Sequence, residues 1–137
     1  ETMIGKIPDT IMSIVLDVTG EKTKSRFMGT FRIKAVLTHA DVIAIERMYS
    51  QLLPRTTSDT SEDAKLRAST ISELSVRIVD GPEWWNGTRY GQLLIDREPL
   101  YQLLIKCNEA EQDWSSRLEE QANQVDSENV IEGPSKP

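Results

Sequence analysis

The chain has 137 residues, a net charge of −6 and one cysteine, Cys107. That length fits one domain with a core of its own, and a lone thiol excludes an intrachain disulfide. No apolar run reaches the ~18 residues of a membrane-spanning helix.

The charge is divided unevenly. Residues 111–137 hold seven acids and two bases, whereas 20–37 hold Lys22, Lys24, Arg26, Arg32 and Lys34 against Glu21 alone. A basic region therefore faces an acidic C-terminal one along the sequence, the condition for charge-guided association.

Residues 1–10 read as an N-terminal extension. They lack the basic-then-apolar order of a signal peptide, and the absence of an initial Met fits missing or processed first residues. Two alternating stretches follow. In 11–18, Met12, Ile14, Leu16 and Val18 share a face; in 26–34, Phe27, Gly29, Phe31 and Ile33 do. A period of two with β-branched and aromatic residues predicts half-buried strands, and TGEKTK between them predicts a hairpin. Two strands alone are marginal, so the hairpin must lie on helices or on another subunit.

The next element opens with Thr38 as N-cap and Asp41 reaching back, a capping box. Val42, Ile45, Tyr49 and Leu52 recur at helical spacing until Pro54. Residues 54–61 form a polar loop, and Thr60 or Ser61 caps a second helix carrying Ala64, Ala68, Ile71 and Leu74. Residues 75–79 fit helix or strand equally, since Val76, Ile78 and Val79 are β-branched. Gly81-Pro82 ends the element, Gly81 by taking positive φ. A compact connection, PEWWNGTRYGQ, follows, with Asn86-Gly87 as a turn. Asp96 is placed to cap the last helix, whose stripe of Leu100, Leu103, Leu104, Cys107, Ala110, Trp114 and Leu118 carries it to about residue 120. Residues 122–137 read as a flexible, disordered acidic tail. The expected architecture is α+β: a single domain over 11–121, with an N-terminal β-hairpin packed on about three α-helices.

Sites for chemistry are sparse. His39 is the single histidine and reads as a solvated surface residue. One Cys and one His do not make a usual zinc set, and no phosphate loop, dinucleotide fingerprint or hydrolase elbow is present. Glu62-Asp63 and Glu119-Glu120 read as solvated faces. Cys107 reads as a core residue. The expectation is a protein without catalytic, cofactor-binding or metal-binding residues.

Surfaces for docking are better represented. Trp84, Trp85 and Tyr90 are of the types enriched at binding hot spots, and one of the adjacent tryptophans can enter the core while the other stays near the surface. Lys22, Lys24, Arg26, Arg32 and Lys34 form a basic ribbon. An acidic chain suits nucleic acid poorly, because such affinity needs several phosphate contacts. The ribbon therefore suits an acidic protein surface, including the chain's own C-terminal segment in a neighbouring copy, a head-to-tail homo-oligomer.

Two segments, FMGTFRIKAVLTHADVIAIERMYSQLL and VRIVDGPEWWNGTRYGQLLIDREPLYQLL, resemble parts of small morphogenesis proteins of tailed bacteriophages. The first is a strand leading into a capped helix, and the second a tryptophan-bearing connection and closing helix. The resemblance implies a non-enzymatic tail-assembly chaperone or minor virion structural protein. Its partners would be other phage structural or tail proteins, and its location the host cytoplasm or the virion, with no membrane involved. A cytosolic adaptor fits the same composition, as would an enzyme using unrecognised carboxylates.

Overall fold

A computed structural model describes residues 9–55 and 57–132. In chain order the elements are β1 (Ile11–Thr19), β2 (Arg26–Lys34), α1 (His39–Leu52), α2 (Glu62–Arg77), β3 (Ile78–Asp80), α3 (Glu83–Gly87) and α4 (Glu98–Glu132). The architecture is α+β: an antiparallel sheet in the order β1-β2-β3 with helices against one face.

The hairpin pairs along its full length, from Ile11 opposite Lys34 to Thr19 opposite Arg26. Alternation does what the sequence predicts. Leu16, Phe31 and Ile33 are buried, and Met12, Ile14, Val18 and Phe27 pack around them. Each fully buried side chain of this size contributes about 2 kcal/mol of transfer free energy. Leu74 of α2, Trp85 of α3 and Leu103, Cys107 and Ala110 of α4 complete the core.

The tight turn after β1 is clamped from outside the hairpin. The Asp96 carboxylate accepts from Lys22 N (2.7 Å), Thr23 N (3.1 Å) and the Thr23 hydroxyl. It stands so close to Gly20 that a Cβ there would lie 2.2 Å from its Oδ2. Asp96 is thus the anchor of the β1–β2 turn and not the cap of the last helix. Helix α4 begins two residues later, and Arg97 O already accepts from Tyr101 N.

The ambiguity over 75–79 resolves into both states in succession. α2 continues to Arg77 and the chain then becomes β3, in which Ile78 pairs with Ile33 and Asp80 with Arg32. Ile33 supplies a partner that no local signal reveals. Gly81 does not take positive φ, which among glycines belongs to Gly29 and Gly91. It is needed for room, since a Cβ would stand 2.9 Å from the Phe31 ring. Asn86 and Gly87 close the short helix α3.

Helix α1 has the expected capping box: Thr38 Oγ1 accepts from Asp41 N, and Asp41 accepts from Thr38 N (2.9 Å). Its stripe is shallow, however. α1 packs on α2 at the periphery, Val42 stays 47% exposed, and Asp41 is the only residue of the helix that is buried. Helix α2 behaves as expected, capped by Ser61 and burying Ala68, Ile71 and Leu74. Helix α4 runs past residue 120 to Glu132, about 52 Å in all. The tail expected over 122–137 is therefore helical as far as Glu132, and 133–137 lie outside the described residues.

Candidate protein-docking surface

The candidate aromatic residues separate into three roles. Trp85 is 1% exposed, its ring edge-to-face with Phe31, so it belongs to the core and offers no surface to a partner. Trp84 is half-buried. Its Nε1–H donates to Met28 O (2.8 Å), and its ring meets Phe27 and Phe31 edge-on. It closes one flank of β2, next to Pro82, which sits where a Cβ on Gly29 would go. Adjacent residues on a one-turn helix point in different directions, so one tryptophan goes inward and the other caps the sheet.

Tyr90 is 52% exposed and stands in a loop with two further exposed apolar side chains, Leu93 (58%) and Ile95 (68%). The loop is pinned by Tyr90 N donating to Trp85 O and Leu93 N to Thr88 O. Arg89 and Tyr90 both occupy the left-handed region, at φ 55° and 56°, and Gly91 follows at 88°. Two consecutive non-glycine residues there cost about 1–2 kcal/mol each. Only a well-determined surrounding structure maintains such strain, which clusters at functional positions.

The basic ribbon is less available than its sequence suggests. Arg26 donates twice to Asp17 (2.9 and 2.8 Å), and Lys34 Nζ donates to Asp41 (2.7 Å). Hydrogen bonds from Arg26 hold the Asp17 carboxyl below the usual carboxylate range, and those from Lys34 and Thr38 do the same for Asp41. Arg32 stands opposite Asp80 across β2–β3. Lys22 and Lys24 lie exposed on the turn, where the Lys22 amide serves the Asp96 clamp.

A buried charge escaped the sequence reading. Arg77, 1% exposed, donates to Lys34 O (3.1 Å), Ala35 O (2.6 Å), Glu73 (2.9 Å) and Glu111 (2.8 Å). Burial alone would lower its basicity, but the two carboxylates outweigh that and raise it. The side chain ties the end of β2 to α2 and α4. The only sequence signal was an arginine between β-branched residues, VRIV.

Cys107 is fully buried, and burial pushes its thiol up to about 11, consistent with a packing role. His39 is exposed at the start of α1. The grooves on the surface differ in lining, and one along α4 is polar throughout, with Asn108, Glu111, Gln112, Ser115 and Ser116. One of about 320 Å³ runs between α2 and the 91–94 loop, and one of about 450 Å³ between α1 and α2 beside Ile45, Tyr49 and Leu66. Among the described residues, no cluster of His, Cys, Asp or Glu is arranged to hold a metal ion, and no helix is long and apolar enough to cross a membrane. Comparison with family models, curated proteins and solved structures finds no match.

Proposed function

We propose that this chain acts without catalysis, by docking onto other proteins in the assembly or structure of a tailed-phage particle. The observation that carries the docking role is the 89–95 loop, where Tyr90, Leu93 and Ile95 stay more than half exposed on a strained, hydrogen-bonded backbone. Isolated exposed apolar residues are ordinary, but three within six residues of one hydrogen-bonded loop, a tyrosine among them, supply the anchors on which a binding hot spot is built. The phage setting is supported by the resemblance of segments 27–53 and 76–104.

The test is affinity capture from infected cells with the native chain and with Ile95→Asp, which changes an exposed side chain and leaves the core intact. Tail or capsid proteins should accompany the native chain and be lost with the variant. Presence in purified particles distinguishes a structural subunit from a chaperone, which would associate with tail proteins but be absent from virions. Capture of host-pathway proteins alone, or a specific turnover abolished by a single carboxylate substitution, would contradict the proposal.

A further inference from the structure

The two sides of the sheet end differently. Ala35 N donates to Thr10 O and Gly20 N to Ser25 O. In an antiparallel ladder hydrogen-bonded pairs recur at every second residue, so the even residues of β1 bond to β2. Ile11, Ser13, Val15, Asp17 and Thr19 consequently direct their backbone groups away from the sheet. Among the described residues, that outer edge receives one bond, Ile11 N to Asp9 Oδ1 (3.1 Å). The strand is nine residues long and contains neither Lys, Pro nor Gly, the usual devices that block an edge.

We propose that β1 is a self-association edge, where a second copy of this chain adds its own β1 antiparallel about a two-fold axis at Val15. This inference rests on the docking role and assigns one of its partners. The strand is self-complementary in that register. Val15 meets Val15, Ser13 meets Asp17, Ile11 meets Thr19, Met12 meets Val18 and Ile14 meets Leu16. The sole charge, Asp17, faces a hydroxyl that can donate to it, so no like charges oppose one another. All nine residues overlap, about eight backbone hydrogen bonds form, and Met12, Ile14 and Val18, half-buried in one chain, extend a shared core. The odd residues that carry the free backbone groups are the ones that pair in this register, as the ladder requires. The contact is isologous and closes at two copies. Two of the five basic residues on which a head-to-tail contact would draw, Arg26 and Lys34, already have carboxylate partners within the chain.

The test uses the full chain and the Val15→Lys variant in sedimentation velocity across a wide concentration range. Val15 is 62% exposed, so the substitution spares the core while placing two ammonium groups across the two-fold axis. The native chain should dimerise and the variant should weaken dimerisation at least about tenfold. Register is tested by mild oxidation. Val15→Cys should cross-link two chains, since the paired Cα atoms would lie about 5.5 Å apart. Asp17→Cys should not, its two copies being four residues out of register and roughly 13 Å apart.

A native chain that stays monomeric overturns the proposal. If its edge amides then exchange slowly with solvent, a segment of the same chain occupies the edge; if they exchange fast, the edge is left to a different protein. A dimer unaffected by Val15→Lys overturns it equally. None of these outcomes touches the 89–95 loop, so the capture experiment judges the docking role separately.

Discussion

The two outer sides of the β1–β2 hairpin teach different lessons about how the flank of a strand is managed. On the β2 side, three unrelated devices share the work. Trp84 donates to Met28 O, β3 pairs with Arg32 and Ile33, and Arg77 donates to Lys34 O. Pro82 adds a residue that cannot extend the ladder, packed where Gly29 leaves room. On the β1 side a strand of the same length carries no such device, among the described residues, beyond the Asp9 carboxylate. Satisfying buried or edge backbone groups stabilises a fold, and leaving a flat apolar edge open exposes it to pairing. Among the described residues, the hairpin thus has the far side of β2 covered by its own chain and presents the outer side of β1.

The largest expected effect comes from breaking the covered side of β2 at its buried charge. Arg77→Met should cost about 3–4 kcal/mol in urea unfolding, because Lys34 O and Ala35 O lose their donor and two carboxylates lose their counter-ion. Trp84→Ala should cost about 2–3 kcal/mol, from a vacated half-buried site and an unpaired Met28 O; Trp84→Phe, which keeps the ring contacts, should cost about 1 kcal/mol. Acid should act next, through the turn that joins the two strands. The Thr23 hydroxyl and the Lys22 and Thr23 amides hold the Asp96 carboxyl below its ordinary value. A depressed folded pKa means that the stabilisation is present above about pH 4 and is lost as pH falls through the folded value. Urea midpoints measured downward from pH 5 should fall less steeply in Asp96→Asn than in the native chain. The smallest effect belongs to the open edge. Val15→Lys should leave monomer stability within about 0.5 kcal/mol, measured at high dilution.

How much of this was legible in the sequence follows from what is local. The strand faces, the Thr38–Asp41 box and the burial of Cys107 depend on near neighbours, and the pattern showed them. Arg77 and Asp96 did not yield, because their partners lie 43 and 74 residues away in the ladder's end and the turn. Asp96 even carried a local signal for a helix cap, which the actual start of α4 overrides. The stripe of α1 illustrates the complementary gap: periodicity names the apolar face of a helix without saying what covers it, and Val42 remains largely exposed. The docking candidates divide on the same ground. Tyr90 is exposed, Trp85 lies in the core, and the ribbon's charges are partly consumed within the chain. The lack of Lys, Pro and Gly in β1 marks an open edge only once it is known which strand lies last in the sheet.

The most direct measurement is residue-resolved amide exchange of the native chain as its concentration is raised. Amides of Ser13, Val15, Asp17 and Thr19 should exchange freely when dilute and gain protection together as copies associate. Protection already complete at the lowest concentration, or none at the highest, would contradict the account.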